Sequence, residues 1–183
     1  MTRSNRVKHL SPLVVVGILA ILFTGCWMFA SPKKGKLIES WDLPGKTLKL
    51  RVDAYDERNA FIGGAYYDFR SAPVGSENWQ TVMTFRHDDP VPIPRKNVRF
   101  VDEHVACAFM GWKYVVTTDS GKTWSIWDAG KDLPHWQCCN YELIQNVVMG
   151  SDGSGKMNLK IISGRSGEVP DLQTRDFGRH WAQ

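Results

Sequence analysis

Beyond residue 36 the apolar positions never hold the i, i+3, i+4, i+7 spacing long enough to predict a good helix. Short β-prone runs alternate with turn residues instead, and they predict strands over 46–53, 60–69, 79–85, 97–101, 105–110, 113–118, 123–128, 142–149, 157–162, 171–174 and 180–182. So many short strands suit an all-β architecture, stacked or radial. The start of the chain carries the opposite pattern. Leu13 to Ala30 is one uncharged apolar run, preceded by Arg3, Arg6 and Lys8 and closed by Ser31, Pro32, Lys33 and Lys34. It predicts one N-terminal hydrophobic helix over 1–30, then a linker over 31–45 and a β domain over 46–183.

The apolar run is near the lower limit for a membrane-spanning helix and long for the core of a signal peptide, so it reads as a signal-anchor or a lipoprotein signal. Phe23-Thr24-Gly25-Cys26 resembles a bacterial lipobox, with Phe23 where Leu is usual; in that reading Cys26 is the lipidated residue. In the other, Cys26 is one apolar residue of an uncleaved helix. Both readings tether the domain to the bacterial inner membrane, and the likeness to a signal sequence places it on the periplasmic side.

Charge changes the picture little. Arg3, Arg6 and Lys8 account for three of the 23 basic residues, so the remainder nearly balance the 19 acidic ones. Past Lys36 no basic run interleaved with aromatics is present, which argues against a nucleic-acid partner. The composition stands out in its rings: eight Trp and eight Phe in a chain with 16 Gly, a mixture that favours half-buried sheet faces joined by tight turns.

A repeat emerges when the chain is aligned on Trp residues that follow turns. Thr117-Thr118-Asp119-Ser120-Gly121-Lys122-Thr123-Trp124 fits the Asp-box pattern Ser/Thr-x-Asp-x-Gly-x-Thr-Trp at every defined position. Thr174-Arg175-Asp176-Phe177-Gly178-Arg179-His180-Trp181 fits it with His180 for the second Thr. Arg70 to Trp79 keeps Gly75 and Trp79 but lacks the Asp. The three Trp are 45 and 57 positions apart, about the length of a four-stranded propeller blade. Chemically, the Asp carboxylate and Ser/Thr hydroxyl accept loop N–H groups, Gly supplies a backbone conformation closed to other residues, and Trp packs on the sheet. Asp119 and Asp176 therefore read as structural, and no catalytic residue is assigned.

Val98 to Trp124 resembles one blade of the Asp-box (bacterial neuraminidase repeat) superfamily, which includes sialidases and non-enzymatic propellers. The resemblance implies two or three blade-like units, an incomplete or minimal propeller at this length, with an irregular β-sandwich as the alternative. Sialidases also carry an Arg triad, a Tyr–Glu nucleophile and an Arg-Ile-Pro motif. Here Pro92-Ile93-Pro94-Arg95 has Pro92 where the Arg should stand, so no sialidase residue carries over. In overall character the chain is similar to envelope immunity lipoproteins that neutralise type VI secretion effectors.

Other chemistry-bearing residues have plainer readings. Cys107 with Cys138 or Cys139 forms a candidate disulfide in an oxidising compartment. Neither cofactor nor metal is implied, since paired CxxC spacing and a second His cluster are both missing. Arg86-His87-Asp88-Asp89 reads as a solvated loop, and Gly150 to Lys156 as a turn, because Met157 stands where a phosphate loop needs Ser or Thr. Trp112, Trp127, Trp136 and Tyr141 are either partner-binding anchors or core residues, core packing being the simpler reading. The function expected is a tethered, non-enzymatic binding protein with a protein partner, an immunity or inhibitor protein against a secreted effector enzyme. An envelope scaffold factor and a cryptic carbohydrate-active enzyme are the alternatives.

Overall fold

In the computed structural model, residues 33–58, 63–88, 91–133, 142–161 and 171–182 are described. They form three antiparallel sheets, each a meander in chain order. The first comprises β1 (Lys33–Pro44), β2 (Leu48–Arg58), β3 (Ala65–Pro73) and β4 (Gln80–His87). The second comprises β5 (Val98–Phe100), β6 (Ala106–Met110), β7 (Lys113–Thr117) and β8 (Ser125–Asp128). The third has β9 (Glu142–Met149), β10 (Gly155–Ile161) and β11 (Leu172–Thr174), with Ala182 bridging Gln173 where a fourth strand would lie. One helical turn, α1 (Ala129–Asp132), and a 3-10 turn at Arg95–Asn97 complete the elements. The expectation of an all-β fold of two or three blade-like units therefore holds, with three antiparallel sheets of three or four strands that do not close into a barrel.

The sheets are stacked in series. β6 is buried at every position and its residues alternate between two cores: Ala106, Ala108 and Met110 pack towards the first sheet, Cys107 and Phe109 towards the third. β7 continues this, with Val115 in the first core and Tyr114 and Val116 in the second. A strand covered on both faces reads as a continuous apolar run, which is why both segments stand out in the sequence. In the outer sheets strands such as β2 and β10 instead alternate apolar and polar residues. Leu48, Leu50, Val52 and Ala54 of β2 point inward with Tyr67 and Phe69 of β3, and each full burial of such a side chain contributes about 1.5–3 kcal/mol.

The outer faces are mainly polar, with Val148 exposed opposite Lys156 on the third sheet. The first sheet presents Lys49, Arg51, Thr84 and Arg86 outward, and the third presents Gln145, Lys156, Lys160 and Gln173. Terminal units of a repeat stack need such faces, because no neighbour covers them.

Two expectations need correction. The 31–45 stretch contains β1, which pairs with β2 from Lys33 opposite Arg58 to Pro44 opposite Lys49. It is an edge strand whose side chains are mostly exposed, with only Trp41 and Leu43 reaching the core, so its sequence carries little alternation. Arg86 and His87 are likewise the end of β4 rather than a loop. Arg86 grips the Glu57 carboxylate through Nε (2.6 Å) and Nη2 (3.0 Å), and the Glu57 side chain is wholly buried beneath it. The N-terminal apolar stretch, with Cys26, lies outside the described residues; among those described no helix is long and apolar enough to cross a membrane.

Candidate functional site

The two complete Asp-box loops join the third and fourth strand positions of their sheets and share one bonding scheme. In the second sheet Thr117 Oγ1 donates to Asp119 Oδ1 (2.8 Å) and accepts from Gly121 N (2.9 Å). Asp119 also accepts from Thr123 N (2.9 Å) and Thr123 Oγ1 (2.6 Å). In the third sheet Thr174 Oγ1 donates to Asp176 Oδ1 (2.7 Å) and accepts from Gly178 N (2.9 Å), while His180 N lies 3.1 Å from Asp176 Oδ1. His180 Nδ1, 2.6 Å from Asp176 Oδ2, takes the place of the Thr123 hydroxyl, so this departure from the motif keeps the bond. The bonds from Thr123 hold the Asp119 carboxyl at about 2. Burial pushes Asp176 up, but the bonds from His180 and Thr174 outweigh it and bring it to about 2 as well. Both carboxylates are fixed, ionised acceptors, a state suited to holding a loop rather than to moving protons.

The loops also dock each sheet onto the one before it. A Cβ on Gly121, at φ +82°, would stand 2.6 Å from Leu48 Cδ1 of the first sheet. Trp124 beside it meets Phe69 edge-on, with centroids 5.3 Å apart. One sheet later the arrangement repeats: a Cβ on Gly178, at φ +83°, would meet Tyr114 Cε1 at 2.6 Å, and Trp181 meets the Tyr114 ring edge-on at 5.5 Å. Tyr114 Oη donates to Phe177 O (2.8 Å), and Arg179 bonds Thr118 of the preceding loop. In this fold the motif is an inter-sheet latch as well as a hairpin.

The degraded copy in the first sheet has the same position and a different environment. Gly75 has the same backbone, φ +84°, yet a Cβ there would meet nothing within 4 Å. Val74 next to it is 53% exposed. Trp79 lies on the outward face of the sheet, where Arg51 (4.2 Å) and Lys49 (4.8 Å) stack on its ring instead of an aromatic from a preceding sheet. Arg51 is in turn held by Asp42 (2.5 and 2.7 Å) and Lys49 by Glu77 (2.9 Å). The Nε1 groups of Trp79, Trp124 and Trp181 are all buried without a hydrogen-bond partner, which marks the three rings as equivalent despite the missing Asp. Among the described residues the first latch thus has its hinge and its ring but no sheet to close on.

Further along the same face the register sets two buried carboxylates directly opposite each other, Asp53 on β2 and Asp68 on β3, each 4% exposed. Like charges so placed repel, and the sheet compensates. Asp53 accepts from Ser40 Oγ (2.6 Å) and Arg70 Nη1 (3.1 Å); Asp68 accepts from Thr84 Oγ1 (2.7 Å) and Lys34 Nζ (2.5 Å). Each carboxylate thus takes one hydroxyl and one cation. Sequence reasoning missed this pair. Its signal was an Asp at the centre of two strongly apolar runs, Val52-Asp53-Ala54 and Tyr67-Asp68-Phe69, but only the register joins them.

The remaining candidates separate. Trp127 is 5% exposed and belongs to the core between the second and third sheets, so it is no surface anchor. Trp112 is half-buried and packs edge-on against Phe85 at 4.8 Å. Cys107 is a free thiol with no exposed surface; burial pushes its pKa up, opposed by Arg99 and Tyr114 beside it. Cys138, Cys139, Trp136 and Tyr141 lie outside the described residues. Among the described residues no group of His, Cys, Asp and Glu is placed to hold a metal. Comparison of the chain with protein-family models, curated proteins and solved structures finds no match.

Proposed function

We propose that this chain is a membrane-tethered binding protein of the bacterial envelope, without catalytic activity, that docks a protein partner on the outward face of its first sheet around Trp79. What carries the reading is the contrast among three equivalent loops. Two close on a preceding sheet through Gly and Trp, and the third presents the same Gly and Trp with open space in front of Gly75. Around them stand an exposed Val74, the Arg51–Asp42 and Lys49–Glu77 pairs and the Trp79 ring, an aromatic and charged surface of the sort in which interface energy concentrates. A rigid sheet stack beneath keeps the ordering cost of binding low.

The periplasmic location and the tether follow from the N-terminal stretch and its likeness to signal sequences, and the blade-like units support the resemblance to the Asp-box superfamily. Within this reading the partner is a secreted effector enzyme, and the chain acts as its immunity or inhibitor protein. The test is affinity capture of the tagged full-length chain from envelopes, followed by assay of the captured enzyme with and without it. Capture and inhibition are expected for the native chain and should be lost in Trp79→Ala and Val74→Glu. Undiminished capture by both variants, or hydrolysis of a glycoside by the purified chain alone, would overturn the reading.

A further inference from the structure

We propose that the groove where the second and third sheets meet is a binding site for a neutral saccharide. The groove is open to solvent, with a volume of about 680 Å³, and Asn97, Gln145, Asn146 and Asn158 line it. They come from two directions. Asn97 closes the 3-10 turn that leads into β5, whereas Asn146 and Asn158 are direct cross-strand partners on β9 and β10. Between Asn158 and Leu159 the register slips, so that Gln145 is the extra residue of a β-bulge and stands exposed beside Asn146. Bulges re-aim side chains in this way, and here the result is two adjacent carboxamides on one rim. Within the lining Asn158 is oriented by Asp171, its Nδ2 donating to Asp171 Oδ1 at 2.5 Å.

The chemistry of the lining selects the ligand. Each carboxamide offers two donors and an acceptor, the mixed complement that vicinal hydroxyls need, since each hydroxyl both donates and accepts. Among the described residues the charged lining groups are Lys96 and Asp171, which are of opposite sign, so this lining favours neither anions nor cations. A single carboxylate cannot chelate a hard metal ion. An added peptide strand is disfavoured too, because the outer edge of β9 is already engaged: Ile144 N donates to Gly111 O (2.8 Å) and Val147 O accepts from Arg99. Recognition must therefore run through side chains. Phe109 and Leu159, both nearly buried, contribute only a small apolar patch to the floor, so recognition rests on the carboxamides.

The site is remote in sequence from the Trp79 surface and does not depend on it. Titration calorimetry of the full-length chain in mild detergent, with chitotriose, maltotriose and cellotriose as probes, tests the proposal. At least one trisaccharide is expected to bind with a dissociation constant below about 1 mM. Asn158→Ala and Gln145→Ala should each weaken that binding about fivefold to tenfold, the effect of losing a ligand hydrogen bond. Gln145 is exposed in its bulge, so Gln145→Ala keeps the test valid even if Asn158→Ala does not fold. Trp79→Ala should bind the sugar like the native chain. Failure of all three sugars to bind, native-like affinity in Gln145→Ala, or tighter binding of trialanine than of any sugar would overturn the proposal.

Discussion

The loop after β3 and the loop after β7 follow the same course, a third strand, a positive-φ glycine, a half-buried tryptophan and a fourth strand, yet they differ in what they face. Around Asp119 the loop is bonded within itself and pressed on the preceding sheet through Leu48 and Phe69. Around Gly75 the closing carboxylate is missing, Ser76 N bonds Pro73 O and Asn78 N bonds Ser76 Oγ, and the far side is open. The tryptophan is present in both but meets different partners, Phe69 of the preceding sheet for Trp124 and Lys49 and Arg51 of its own sheet for Trp79. The full carboxylate scheme occurs where the loop also has to present a fixed surface to a neighbour, and rigidity there is what lets one sheet register against the next.

That comparison can be broken most severely at the glycines. Gly178→Val combines a positive φ with a clash against Tyr114 and Trp181, and should cost about 3 kcal/mol or more, enough to unfold the third sheet in thermal melts. Gly121→Ala should cost less, since the methyl meets the flexible end of Leu48. Gly75→Ala should cost only the backbone strain of about 1–2 kcal/mol, because nothing stands near it. A loss at Gly75 equal to that at Gly178 would show that docking plays no part in the difference.

Removing the inter-sheet hydroxyl in Tyr114→Phe should lower stability by about 1 kcal/mol, measured by urea unfolding, because Phe177 O loses its partner. The carboxylates should reveal themselves through pH. Asp119 and Asp176 sit at about 2 in the folded chain, below the unfolded value of about 3.9. Their contribution is therefore fully present above about pH 4 and is lost as pH falls through about 2. The melting-temperature gap between the native chain and the Asp119→Asn, Asp176→Asn double variant should accordingly narrow across that window; a constant gap would mean that the charge is irrelevant. The smallest effect is expected from His180→Thr, within about 0.5 kcal/mol, since Thr123 shows that a hydroxyl fills the same place.

Much of the fold was legible along the chain. The apolar runs announced the strands Ala106–Met110 and Lys113–Thr117, and the Thr-x-Asp-x-Gly spacing announced two hairpins whose loop N–H groups donate to the Asp and Thr oxygens, the Thr hydroxyl also donating to the Asp. β1 was not legible, because this edge strand buries little and alternates only over its second half, where Trp41 and Leu43 reach the core. The role of Trp127 was open for a different reason: a ring after a turn looks the same whether the third sheet covers it or solvent does. The amide groove was invisible as well, since its residues come from 96 to 171 and none is unusual alone.

By itself the sequence determined the local geometry: which segments extend, where the backbone turns through positive φ, and which carboxylates are closed by their own loops. These depend on interactions within a few residues, such as the four-residue span from Asp119 to Thr123. Only the tertiary structure decided that Asp53 faces Asp68, that Gly178 leans on Tyr114, and that Gly75 leans on nothing. Those outcomes depend on strand register and on the order in which sheets stack, and both are settled by burial summed over whole faces rather than by any residue's own chemistry.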